Sequence, residues 1–198
     1  MEPLLNAALL SMLVLFAPQA SGTDAEGFIR TWLVLAPIHL DSESGAEEIA
    51  KDYLKGGETS VKPKAGDKLA IGGKELAWQA HTATNYYIDF LQSFGKEGGE
   101  YVVGYAVAYV MADADMKVTL ALSTNDQGKA WVNGKEVFKF AETRVLDKDT
   151  DRIEVSLNKG QNVLMLKVIN EVNNWQACAR FLKDGVPVKN LTISTTPQ

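Results

Sequence analysis

Two histidines, one cysteine and a scatter of carboxylates are the residues of this 198-residue chain whose types could do chemistry, and their spacing decides how far that goes. His39 and His81 stand far apart, and neither belongs to a His-x-His or His-Glu-x-x-His arrangement that would bring two imidazoles onto one zinc ion. Cys178 lies between Ala177 and Ala179, a setting for a small buried hydrophobe rather than an activated thiolate. As the only cysteine it can form no internal disulfide. No Gly-x-Ser-x-Gly elbow occurs, and Gly72-Gly73-Lys74 fails as a phosphate loop because Glu75 follows where Ser or Thr is needed, so it reads as a turn. Asp147, Asp149 and Asp151 alternate as hard-cation ligands can, yet Arg152 falls where an EF-hand needs glycine and Asn158 where it needs its bidentate glutamate. A solvated strand entry is expected there. Asp89, Glu100, Asp113 and Asp115 could supply paired carboxylates for glycoside cleavage, and a β-framework explains them equally well. No catalytic residue, metal ligand or cofactor is predicted, and a structural calcium has no motif behind it.

The aromatic residues carry the remaining candidate chemistry. A sugar ring presents an apolar face that stacks on Trp or Tyr, while Asn, Asp and Arg take its hydroxyls. Trp78, Tyr86, Tyr87 and Trp175 fit that role, with Asn85, Asn125, Asp126, Asn173 and Asn174 near them in sequence. The predicted ligand-binding set is Trp78, Tyr86, Tyr87, Asn125, Asp126, Asn174 and Trp175. Against it stands the tendency of aromatic rings to go inward, which assigns Trp32 and Trp131 to the core and applies to Trp175 as well.

These residues need a scaffold, and the chain writes one in strands. Phe28 to Ala36 reads as a strand ended by Pro37. Ser44 and Glu47 form a capping box, predicting a helix that shows Ile49, Ala50, Tyr53 and Leu54 on one face, stops at Gly56-Gly57 and packs over one end or edge of the fold. Residues 61–73 read as a loop with a short strand near Leu69 to Ile71, followed by strands at Lys74 to Gln79 and Tyr86 to Phe90. Tyr101 to Met111 alternates bulky and small residues, both apolar, as a central strand covered on both sides requires. Val118, Leu120 and Leu122 mark a half-buried strand, Asn133-Gly134 a tight hairpin, and Ile153, Val155 and Leu157 another strand. Val163 to Ile169, Trp175 to Leu182 and Val188 to Ile193 complete about ten strands, the count and turn spacing of a β-sandwich or jelly roll.

Composition bounds the rest. At 46% hydrophobic and 23% charged, the chain has the balance of a globular protein. A net charge of −5 without a basic stripe argues against a nucleic-acid partner. Leu4 to Ala17 is an apolar run too short to span a bilayer well, followed by small Ala20 and Gly22. Residues 1–22 are therefore expected to be a signal peptide, although Glu2 stands where Lys or Arg is usual, which keeps an uncleaved anchor as the other reading. Residues 23–198 are expected to form one domain, secreted or held in the periplasm or cell envelope, with no membrane contact once mature.

Several segments together resemble the galactose-binding-like jelly-roll modules of secreted bacterial carbohydrate-active proteins, similar to the sugar-binding domains of glycosidases. They are Trp32-Leu33-Val34-Leu35-Ala36-Pro37, Asp52 to Glu58, Lys129-Ala130-Trp131-Val132-Asn133-Gly134-Lys135-Glu136-Val137 and Leu157 to Val168, with Trp175 and Arg180 in the closing strand. Ala36 stands where that pattern usually has Gly, and Thr124-Asn125-Asp126 where a run of acidic residues is common. The resemblance implies that the hairpin and the Gly160-Gln161-Asn162 turn are framework and that ligands bind on loops at one end. The leading expectation is a non-catalytic exported module that binds carbohydrate or a glycan-bearing protein. A structural or protein-interaction component of an envelope or extracellular complex is the alternative, and a jelly-roll glycan-processing enzyme a third reading.

Overall fold

Two faces of one strand organise this molecule, of which a computed structural model describes residues 22–94 and 99–198. The predicted signal peptide, Gly22 apart, lies outside the described residues. In chain order the strands are β1 (Thr31–His39), β2 (Lys68–Ile71), β3 (Lys74–Ala77), β4 (Gln79–Thr82), β5 (Ile88–Asp89), β6 (Val102–Ala112), β7 (Met116–Asn125), β8 (Gly128–Val132), β9 (Lys135–Phe140), β10 (Asp151–Leu157), β11 (Gly160–Asn170), β12 (Gln176–Lys183), β13 (Val186–Pro187) and β14 (Thr192–Ser194). Two helical turns, α1 (Gly45–Glu48) and α2 (Phe90–Phe94), complete the described elements. One sheet runs β4-β1-β6-β11-β8-β9, with β14 also on β6. The second runs β10-β7-β12-β13, with β5 also on β12, and β2 and β3 form a hairpin of their own. All these pairings are antiparallel. The fold is the all-β sandwich that the alternating pattern predicts.

The small face of β6 (Val102, Ala106, Ala108, Val110) packs against β7 and β12 of the second sheet through Leu120, Leu122, Ala179 and Phe181. Its bulky face (Val103, Tyr105, Val107, Tyr109) points the other way and is covered by residues 38–78, among them Ile49, Leu54 and Trp78. This central strand is therefore buried on both sides, as its unbroken apolar run requires. Gly104 shows what the small face is for. A Cβ there would lie 2.7 Å from Trp175 Cζ2 and 3.0 Å from Phe90 Cε1, so only glycine lets the two rings reach the backbone.

Local chemistry accounts for the turns. Asn133 and Gly134 have φ of 52° and 78°, the two positive values that a tight β8–β9 hairpin needs. Asn162 ties the β10–β11 turn from within, accepting from Asn158 N and donating to Asn158 O, each at 2.8 Å.

Several expectations change. The first strand starts at Thr31 rather than Phe28 and is not ended by Pro37, which sits in a bulge of β1 between Leu35 and Ile38 as the strand runs on to His39. The helix predicted from Ser44 to Leu54 stops at Glu48, although Ser44 caps it through Glu47 N as foreseen. Beyond it Asp52 accepts from Leu54 N and Glu58 N, side-chain bonds that compete with helical ones and turn the chain. The segment lies across the outer face of the larger sheet rather than at an end or edge. The strand expected from Tyr86 to Phe90 shortens to β5, because Asp89 Oδ1 accepts from Gln92 N and starts the second helical turn. The strand expected from Lys74 to Gln79 breaks at Trp78, whose backbone pairs with Asp67 and Gly66, and that expected from Val188 to Ile193 yields only β14, at its end.

Candidate functional site

The predicted ligand-binding residues divide among three places. Trp175 is 1% exposed, its ring stacked on Phe90 at 4.7 Å and its Nε1 donating to Val168 O at 3.1 Å. Trp78 is 5% exposed in the outer core. The stacked and anchored Trp175 ring has no free face for a sugar, which corrects the expectation for it, while the mostly buried Trp78 only borders a cleft of about 240 Å³ with Leu54, Lys62 and Leu69; each was drawn inward because the apolar area of an indole outweighs its single polar atom. Cys178 is buried as expected, and burial followed by the charge of Asp149 pushes its thiol up to about 12.

Asn125 and Asp126 meet at one pole of the sandwich, where β7 ends and β8 begins, with exposed Asn174 in the loop that leads into β12. Both are buried and largely used by the framework. Asn125 Nδ2 donates to Arg144 O at 2.7 Å, and Asp126 accepts from Arg144 N and Glu171 N at 3.3 and 3.2 Å. Burial nonetheless holds the Asp126 carboxyl above its ordinary value. Arg144 fills this pole: it donates to Thr124 O and Thr124 Oγ1 at 2.9 Å, pairs with Asp151 at 2.7 Å and lies over the Phe140 ring at 4.1 Å. Asp149 similarly pairs with Arg180 at 2.5 Å. Arginine partners account for Asp149 and Asp151.

Tyr86 and Tyr87 are the two predicted aromatics that remain half exposed. They sit in the segment crossing from β4 in the larger sheet to β5 in the smaller one, so the connection itself holds them at the sandwich margin. Their rings meet edge to face at 5.0 Å; Tyr86 rests on buried Phe28 at 5.3 Å, and Lys148 Nζ stands 4.5 Å from its centroid. Beside Tyr87 opens a cleft of about 120 Å³ lined by His81, Thr84, Asn85, Gln92 and Ser93. The side chains of Thr84, Asn85 and Gln92 and the Tyr87 hydroxyl form no hydrogen bond with another described residue, leaving donors and acceptors around an aromatic wall. Ser93 Oγ donates to Asp89 O at 2.7 Å, so the 3.1 Å contact with His81 Nε2 is the imidazole N–H donating to the hydroxyl. That polarity is opposite to what a general base activating a serine needs. Burial holds the His81 imidazole below its ordinary value, which keeps it neutral.

His81, Thr84 and Gln92 were missed in the sequence because nothing in their spacing announces a cleft. A second polar cluster was also missed: Lys167, 0% exposed on β11, donates to the carbonyls of Glu48, Ile49 and Lys51 and pairs with Glu58 at 3.3 Å. The available signal was a lone Lys inside the apolar run Val163 to Ile169.

No known protein family matches this chain, and no curated protein matches it. Nine chains among solved structures do. One, the crystal structure of the PA14 domain of the antifreeze protein MpAFP, is similar at a TM-score of 0.45 with 11% identity, covering 90% of this chain and 96% of that one.

Proposed function

We propose that this protein is a non-catalytic binding module that takes carbohydrate at the Tyr86–Tyr87 ledge and the cleft beside it. The supporting observation is the half-exposed tyrosine pair bordering a small cleft in which the Thr84, Asn85 and Gln92 side chains bond to no other described residue. A pyranose face laid on Tyr87 leaves ring hydroxyls within the reach of Asn85, Thr84 and Gln92. This keeps Tyr86 and Tyr87 of the predicted set and leaves aside the pole, where Arg144 takes up the Asn125 amide N–H, the Thr124 oxygens and one Asp126 oxygen. In this reading residues 1–22 are an export signal, and the module works outside the cytoplasm or in the envelope as a galactose-binding-like domain.

Titration of the protein against a polysaccharide panel, followed by calorimetry, tests it. Tyr87→Ala and Asn85→Ala are each expected to weaken binding about tenfold, the size of one lost stacking or hydrogen-bonding contact. Heat signals that are absent for every glycan, or unchanged in both variants, would refute the reading. A docking role is favoured by one feature, an open groove of about 600 Å³ between β9 and β10, lined by Val132, Val137 and Val155. Both are edge strands with backbone groups free to pair. Retention of a protein partner by a variant that has lost all glycan binding would support it.

A further inference from the structure

On the outer face of the larger sheet, between β8–β11 and the segment after Glu58, lies a cavity of about 270 Å³. Trp131, Val163 and Met165 supply its apolar walls, and Glu58, Val61 and Lys62 come from the covering segment. Glu58 is 7% exposed and its two oxygens are treated differently. Oε1 accepts from Tyr105 OH at 2.6 Å and pairs with Lys167 at 3.3 Å. Oε2 accepts no hydrogen bond from a described residue; its nearest cation, Lys129 Nζ, stands 3.9 Å away and is engaged at 2.7 Å by Glu136.

Stability does not account for this arrangement. Burying ions costs several kcal/mol each, and well-packed apolar side chains of similar volume commonly serve as well or better. What the cluster achieves is orientation: Lys167, itself fixed by three backbone carbonyls, and Tyr105 saturate one carboxylate oxygen and leave the other for the cavity. A pre-oriented acceptor beside an indole and two aliphatic side chains is a ligand wall. Charge selects the ligand. A cation at Glu58 Oε2 would approach Lys62 and Lys129, the latter 3.9 Å from that oxygen, an anion would meet the Glu58 carboxylate, and a neutral polyol avoids both penalties while donating to Glu58 Oε2.

We propose that this cavity is a second binding site, for a single neutral pyranose ring, with Glu58 as the hydroxyl acceptor. It shares a ligand class with the ledge but none of its residues, and β1 and β6 lie between β4 beside the ledge and the strands that form this cavity.

Titration of the full chain with methyl pyranosides, a uronic acid and an amino sugar, followed by protein-observed NMR at the Trp131 indole and Met165 methyl signals, which report this cavity and not the ledge, tests the site. At least one neutral pyranoside is expected to bind at millimolar concentration, with the charged sugars at least tenfold weaker. Val163→Trp, which fills the cavity without touching the ionic cluster, is expected to abolish this binding, Glu58→Gln to weaken it about tenfold, and Tyr87→Ala to leave it unchanged. Should Glu58→Gln fail to fold, Val61→Trp supplies the second variant. The proposal is overturned if no neutral pyranoside binds, if the charged sugars bind equally, or if the Val163→Trp variant retains binding. Loss in Tyr87→Ala together with retention in Val163→Trp overturns this site and leaves the ledge standing.

Discussion

Replacing Gly104 with alanine adds one methyl group where two aromatic rings already reach the backbone of the core. That methyl would lie 2.7 Å from Trp175 Cζ2 and 3.0 and 3.1 Å from Phe90 Cε1 and Cδ1. The rings have little room to yield, because Trp175 is stacked on Phe90 and anchored through Nε1 to Val168 O. Overpacking of this kind costs about 1–3 kcal/mol, and several contacts inside normal van der Waals distance put the cost near the upper end. The lower backbone entropy of alanine returns about 0.5–1 kcal/mol. The net expectation is a loss of about 2 kcal/mol, or roughly 4–8 °C in Tm for a protein of this size. Urea denaturation followed by circular dichroism reads it. In a double-mutant cycle with Trp175→Leu, the cost of the alanine should fall by at least about 1 kcal/mol, since the obstructing ring is gone. A Gly104→Ala protein as stable as the parent, or an alanine cost that is unchanged in the Trp175→Leu background, would show that Trp175 does not pack on this backbone.

Lys167→Met is expected to cost about 3–5 kcal/mol, because it leaves Glu58 buried without its cation and strips a donor from the carbonyls of Glu48, Ile49 and Lys51; an unchanged urea midpoint would contradict the pairing. Cys178, with its thiol pushed up to about 12, should resist a thiol reagent at pH 8 in the native protein and react stoichiometrically once unfolded. His81 titrates below its ordinary value of 6.5 when folded, so the unfolded chain binds the extra proton first. Stability should therefore fall as pH drops through and below 6.5, and the difference between the parent and His81→Asn urea midpoints should change over that window; a constant difference would refute the burial of the imidazole.

The strands were legible because their chemistry is local. Alternation along residues 101–111 specifies two apolar faces whatever covers them, and Asn133-Gly134 specifies a hairpin because both residues tolerate positive φ. The lone buried cysteine and the core positions of Trp32 and Trp131 were readable from their apolar neighbours. Other features depended on residues far away in the chain. The helix after Ser44 ends early through the side chain of Asp52 and lies over Lys167, more than a hundred residues on, whose amine takes the carbonyls at its end.

Trp175 and Tyr87 looked alike in sequence, aromatic residues beside asparagines. Trp175 is interior because Gly104 and Phe90 arrive to cover it, whereas Tyr87 stays half exposed because no described element packs over that face of the segment between β4 and β5. Sequence determined which residues could be apolar surface, turn or polar handle. Only the tertiary structure decided which of those surfaces found a partner, since burial is a property of what packs against a side chain and not of the side chain itself.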